Sequence, residues 1–195
     1  MSLIEYKTCY FTFGRYQPPT IGHEVHFEAL RRLAGRNDWF IFPSPTQGGG
    51  ENPLDLKTKM TYIQKACPWT RGKVREPGRI TSSGRNNPVV ATIQSLQNEG
   101  YDNCYFVVGS DRVNAFKWTK DGLGKDYSFY EYEIISSGER DADGDTFAIS
   151  GTKMRRAAFA ADFKTFRQGI PRGMSDIDCK KLMDEIRLKL PANFK

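Results

Sequence analysis

Two short stretches of this 195-residue chain carry side chains suited to holding anions. The first, Phe13-Gly14-Arg15-Tyr16-Gln17-Pro18-Pro19-Thr20-Ile21-Gly22-His23, puts a guanidinium, a hydroxyl and an imidazole on one short loop after an apolar run. Gly14 has no Cβ, so backbone N–H groups beside it can approach a ligand. The second, Ile149-Ser150-Gly151-Thr152-Lys153-Met154-Arg155-Arg156, reads as a helix start with Ser150 as N-cap. Thr152 and Arg155 stand three residues apart, on nearly the same helical face. A helix N-terminus offers unpaired N–H groups and the positive end of its dipole, and a planar guanidinium grips two phosphate oxygens at once. The chemistry these residues could do is phosphate handling. Taken alone, the Ser-x-Thr-x-x-Arg spacing reads equally well as ordinary helix capping.

The elements that position these stretches alternate along the chain. Residues 8–13 are aromatic and β-branched, as a buried strand requires. Val25, Phe27, Ala29, Leu30 and Leu33 follow at helical spacing, which sets Thr20, Gly22 and His23 at a helix N-terminus. After the polar turn 36–38, residues 39–42 form a second apolar strand, so strand, helix and strand suggest a parallel βαβ unit. Residues 43–53, with Gly48-Gly49-Gly50, read as a mobile loop beside the strand ends. A helix over 54–66 carries Leu56, Met60 and Ile63 as its apolar stripe, leaving Lys57, Lys59 and Lys65 on a solvated face. A weak strand is expected at 73–75 within an otherwise irregular connection. Pro88 opens a helix over 88–97 that Gly100 closes. Residues 104–108 make the clearest central strand, ending in Gly109-Ser110-Asp111-Arg112, where open α/β sheets gather functional residues. Asp111 alternatively caps the next helix. A further strand spans 130–135. Asp141, Asp143 and Asp145 alternate like the start of a calcium loop, but Gly144 and Thr152 fall where the pattern needs other residues, so a calcium site is rejected. Arg140 reads as a paired surface residue, with a triphosphate contact as the alternative. Ser175 and Asp178 form a capping-box-like start for a last helix over 175–190. The expected fold is α/β, a parallel sheet flanked by helices, in one domain over 1–195 with its core at 7–165 and a C-terminal helical appendage at 166–195.

Composition narrows the class. Hydrophobic content of 38% and a mean hydropathy of −0.59 describe a soluble protein, and no apolar stretch approaches the roughly 20 residues of a membrane helix. The N-terminus lacks the basic and apolar segments of a signal peptide. Cys9, Cys67, Cys104 and Cys179 are isolated, which suggests neither a zinc pair nor a disulfide framework and fits a reducing cytoplasm. A net charge of +6 suits a polyphosphate ligand. No helix-turn-helix, ribonucleoprotein motif or Lys/Arg tract favours nucleic acid.

Gly14-Arg15-Tyr16-Gln17-Pro18 and Thr20-Ile21-Gly22-His23, with Ile149-Ser150-Gly151-Thr152 through Arg155, resemble the two signatures of the nucleotidylyltransferases, G-x-F-x-P-x-[HT]-x-G-H and I-S-x-T-x-x-R. Arg15, Gln17 and Glu51-Asn52-Pro53 look most like archaeal-type nicotinamide mononucleotide adenylyltransferases and phage-encoded nucleotidylyltransferases, the latter implying a host cytoplasm. Thr20 stands where many members have His, as in pantetheine-phosphate adenylyltransferases. The resemblance implies a Rossmann-like fold in which an acceptor phosphate attacks the α-phosphorus of a nucleoside triphosphate and pyrophosphate leaves. It implies His23, Thr20 and Arg155 as catalytic. Phe13, Gly14, Arg15, Gly22, Gly109, Asp111, Ile149, Ser150 and Thr152 would bind the nucleotide, and Lys57, Lys59 and Arg112 the acceptor. Mg²⁺ would come with the triphosphate, with no protein metal site. ATP and nicotinamide mononucleotide, giving NAD, are the expected pair. The alternatives are cytidylyl transfer to a small phosphorylated alcohol or sugar, a pantetheine-phosphate-type adenylyltransferase, and a nucleotide-binding protein without catalysis. A homo-oligomer is left open. No Walker-type or dinucleotide glycine motif occurs, since Gly122-Leu123-Gly124-Lys125 lacks the surrounding pattern, so kinase and dehydrogenase readings fall away.

Overall fold

Residues with branched and aromatic side chains at the start of the chain form β1 (Thr8–Gly14), which leads into α1 (Ile21–Ala34), β2 (Asp38–Pro43) and α2 (Leu56–Ala66). A computed structural model describes residues 5–80, 86–138 and 149–194; Arg140, Asp141, Asp143 and Asp145 lie outside the described residues. Then come α3 (Pro88–Asn98), β3 (Asn103–Val108), the single-turn α4 (Val113–Phe116) and β4 (Glu131–Ser136), followed by α5 (Gly151–Phe159), α6 (Phe163–Gln168) and α7 (Asp176–Lys189). The four strands form a parallel sheet in the order β2-β1-β3-β4. Cys9 lies opposite Cys104 and Phe11 opposite Phe106. The order reverses between β1 and β3, the place at which open parallel sheets collect ligands beyond their C-terminal strand ends. The fold is the Rossmann-like α/β arrangement that the sequence pattern suggests.

Within the chain two compact units group separate stretches, the described residues of 1–13, 26–42 and 76–139 in one and of 14–25, 43–75 and 140–195 in the other. The first holds most of the sheet. On one face Phe11 stacks on Phe106 with ring centroids 4.4 Å apart and meets Phe42 edge-on at 6.1 Å. Val89, Val90, Ile93 and Leu96 of α3 are buried in the same cluster. Pro88 opens α3, and the Asn87 side chain accepts the Val89 N–H. On the other face His26 of α1 reaches Thr12 of β1. The buried stripe of α1 is Phe27, Leu30 and Ala34, with Ala29 beside it; Val25 and Leu33, expected in the stripe, are 42% and 38% exposed because they fall outside the i, i+3, i+7 set.

The second unit is helical. Asp55 caps α2 by accepting the Thr58 N–H at 2.8 Å, a bond that holds its carboxyl below the usual range. α5, α6 and α7 pack on one another, and α7 buries Cys179, Leu182, Met183 and Ile186. Ser175 caps α7 through the Asp178 N–H as the sequence suggests, and Lys65 of α2 pairs with Asp178 at 2.6 Å. At 73–75 no extended strand forms, and Val74 makes only an isolated β-bridge. All four cysteines are buried free thiols.

Candidate active site

Thr20 stands just before α1 and its carbonyl accepts the N–H groups of His23 and Glu24 at 2.9 and 3.1 Å. His23, at the third helical position, turns back so that Nδ1 accepts the Thr20 backbone N–H at 3.0 Å, with the Thr20 hydroxyl also 3.0 Å away. This is one half of a capping box, the N3 side chain accepting from the N-cap backbone N–H, with an imidazole where Glu or Gln usually stands; the His23 N–H itself goes to the Thr20 carbonyl. An Nδ1 that accepts leaves the proton of the neutral ring on Nε2. Nε2–H is therefore a donor near the positive end of the α1 dipole. The Thr-x-x-His spacing sets the proton's place.

Tyr16 holds the aromatic position of the first signature, where the sequence suggests no role for it. Its backbone is left-handed, with φ of 48°, and the side chain is buried. The ring packs edge-to-face on His23, centroids 5.0 Å apart. A Cβ on Gly14 would lie 2.7 to 3.0 Å from the Tyr16 ring, so the glycine makes room for a side chain of its own loop, where the sequence pointed to backbone meeting a ligand. Gly22 differs, because a Cβ there would meet only Thr20 Oγ1, at 3.8 Å.

The rest of the loop is braced. Gln17 is buried and bonds both the N–H and the carbonyl of Leu54, at 2.9 and 2.8 Å. Ser44 N–H donates to the Gly14 carbonyl at 2.7 Å. Lys59, expected on a solvated face or at an acceptor phosphate, is fully buried, its ammonium bonded to the carbonyls of Ser44 and Thr46. Burial lowers its pKa to about 8, with the charge of Asp55 opposing. Lys57 is exposed on α2. The loop expected to be loose is tied at 44 and 46 and closed by Gly48 N–H on the Asn52 carbonyl at 2.8 Å. Gly48 and Gly49 adopt φ of 113° and 65°, which suits glycine alone, and Gly50 abuts the ring of Phe194. Glu51 pairs with Arg15 at 3.2 Å, both exposed.

Ser150 caps α5 by accepting the Lys153 N–H at 3.1 Å, and its carbonyl takes the Met154 N–H. The N–H groups of Gly151 and Thr152 have no intrahelical acceptor at this end. Arg155 is 7% exposed; Nη1 donates to the Gln17 carbonyl at 2.9 Å and Nη2 to Thr152 Oγ1 at 3.2 Å. A Cβ on Gly151 would press on both Arg155 Nη1 and the Gln17 carbonyl, at 3.0 and 3.3 Å. Burial first, then the like charge of Arg15, lowers the Arg155 pKa. Thus Thr20, His23, Gly14, Arg15, Gly22, Ser150, Thr152 and Arg155 share one unit. Ile149, partly buried, touches the place of a Cβ on Gly169.

In the other unit Phe13 packs partly buried on the sheet core and Gly109 is buried after β3. Asp111 and Arg112 are exposed, 3.9 Å apart, and the N-cap residues of the two short helices after Gly109 are Gly109 and Arg112, with Asp111 inside the first of them. Among the described residues no three His, Cys, Asp or Glu side chains converge into a metal-holding group. No helix among them is long and apolar enough to cross a membrane.

The family described as cytidylyltransferase-like matches residues 11–157, a span that contains both signatures. A protein of Sulfurimonas denitrificans named as a nicotinate-nucleotide adenylyltransferase is 28% identical over 109 residues, covering 51% of this chain and 54% of that protein. The chain thus spans about half the length of this curated relative. Among solved structures, a nicotinate-nucleotide adenylyltransferase of Vibrio parahaemolyticus matches 91% of this chain and 98% of its own, with a TM-score of 0.58 at 14% identity. The nicotinic acid mononucleotide adenylyltransferase of Plasmodium falciparum complexed with NaAD matches 92% and 98%, with a TM-score of 0.55 at 17% identity. At these identities the likeness is one of fold.

Proposed function

The chain belongs to the cytidylyltransferase-like family, and on that footing we propose that it is a nucleotidylyltransferase moving adenylyl from ATP to a pyridine mononucleotide. The observation that carries the reading is the Thr20–His23 pair, which leaves an Nε2–H donor at a helix N-terminus. A phosphate oxygen of the acceptor attacks the α-phosphorus, the bond from that phosphorus to the β-phosphate bridge breaks, and pyrophosphate leaves. The acceptor phosphate is already ionised at neutral pH, so the step needs no general base. His23 Nε2–H donates to a phosphate oxygen as charge gathers there, and Thr20 keeps the ring in the donating tautomer. The N–H groups of Gly151 and Thr152, the hydroxyls of Ser150 and Thr152, and Arg15 hold the leaving pyrophosphate. Arg155 adds its charge behind them and keeps the start of α5 against Gln17. Lys57, in the same unit, remains the acceptor-side cation. Mg²⁺ would arrive on the triphosphate and would supply charge neutralisation there, beside the donors named above. The four buried free thiols suit a cytoplasmic setting.

The motifs favour nicotinamide mononucleotide, while the relatives are named for its acid counterpart. Pyrophosphate release measured for each of the four triphosphates against both mononucleotides, pantetheine phosphate and simple sugar and alcohol phosphates tests the proposal. Dinucleotide formation with ATP is expected. Turnover only with CTP and a sugar or alcohol phosphate would overturn the substrate assignment.

A further inference from the structure

We infer that Tyr16 is a positioning residue for His23, holding the plane of the imidazole while Thr20 fixes its Nδ1. A hydrogen bond to one ring nitrogen sets a point and a direction, and the ring can still pivot about it. A second aromatic ring packed at 81° to the imidazole, with centroids 5.0 Å apart, removes that freedom. The backbone supports the assignment. Tyr16 occupies a left-handed conformation, φ 48°, that bulky residues rarely adopt, and such backbone persists where the surroundings over-determine it. The hydroxyl end of the ring lies against Gly14, which presents no Cβ, and a methyl group there would come within 2.7 Å of it. Glycine at 14 thus admits the tyrosine, and the tyrosine orients the imidazole. The inferred role belongs to the ring, which phenylalanine shares.

The kinetic consequence rests on the adenylyl-transfer reading, but the orientation of His23 does not, and the test separates them. Tyr16→Asn keeps a residue that tolerates left-handed backbone and deletes the ring. Tyr16→Phe keeps the ring. In NMR spectra of the intact protein the His23 ring signals should be sharp and nearly the same in wild type and Tyr16→Phe, and shifted and broadened by ring motion in Tyr16→Asn, with the Nε2–H tautomer that Thr20 fixes kept in all three. With ATP and a pyridine mononucleotide, Tyr16→Asn should lower kcat by about 2- to 12-fold, with the KM for ATP unchanged and Tyr16→Phe restoring the rate. Gly14→Ala, which leaves Tyr16 in the chain but pushes its ring, should change the His23 spectrum in the same sense, and it carries the test if Tyr16→Asn does not fold. His23 signals unmoved by the folded variants, or a Tyr16→Phe variant as impaired as Tyr16→Asn, would overturn the inference. If wild type turns over none of the substrates, the function assigned above fails and the spectra alone decide this one.

Discussion

A Cβ added at Gly22 would meet only the Thr20 hydroxyl at 3.8 Å, whereas one at Gly14 would strike the Tyr16 ring. The fold itself therefore makes no demand for glycine at 22, and the demand falls to the ligand. Gly22→Ala should melt no lower than wild type, since alanine is the better helix former by about 0.5–1 kcal/mol, yet bind ATP more weakly. Thermal unfolding and calorimetric titration check the pair, and unchanged affinity would remove Gly22 from the nucleotide site. Arg155 behaves differently, because its guanidinium is spent inside the protein. Arg155→Ala orphans the Gln17 carbonyl and should cost about 1–3 kcal/mol in urea unfolding in addition to weakening triphosphate binding. An unfolding midpoint equal to wild type would show that the Gln17 contact contributes nothing. The Thr-x-x-His and Ser-x-Thr-x-x-Arg spacings were legible in the sequence because helix starts have fixed geometry. The Gln17 partner of Arg155 was not, since it is a backbone atom 138 positions away. Nor was the packing of Tyr16 on His23, since its left-handed backbone runs against what its side chain prefers.

Among the elements, the loop between β2 and α2 departs furthest from expectation. Three consecutive glycines read as slack, but two of them supply left-handed turns and the third makes way for Phe194. Spacing predicts Leu56, Met60 and Ile63 as the stripe of α2, whereas the buried residues are Lys59, Tyr62, Ile63 and Ala66. Hydropathy cannot find a buried lysine whose partners are carbonyls on another segment. That lysine gives a pH signature. Its pKa in the fold is about 8, and an ordinary lysine in the unfolded chain keeps its proton to about 10. Between these values the unfolded state holds the extra proton, so stability rises with pH through that window; below it both states are protonated and the fold bears a buried ammonium. The unfolding free energy of wild type relative to Lys59→Met should therefore increase from pH 8 to 10. A difference that stays flat across the window would contradict the buried-lysine account.

For the whole molecule, the alternation of strands and helices was readable because strands near 8, 39, 104 and 131 are dense in aromatic and β-branched residues and the helices between them carry caps or a clear stripe. The grouping of the C-terminal helices with α2 through Lys65–Asp178 was not readable, since nothing local in α7 names its partner. Charge was informative only as a bias, a net +6 that polyphosphate and other anionic ligands would satisfy alike. Chemistry therefore has to be tested on the intact chain. The direct measurement is the rate of pyrophosphate release from ATP with a pyridine mononucleotide present, for wild type beside His23→Ala. Turnover should fall about 10²- to 10³-fold, the loss usual for one transition-state donor, in a variant that melts like wild type. Near-normal turnover in folded His23→Ala would contradict the assignment of Nε2–H as the donor that drives transfer.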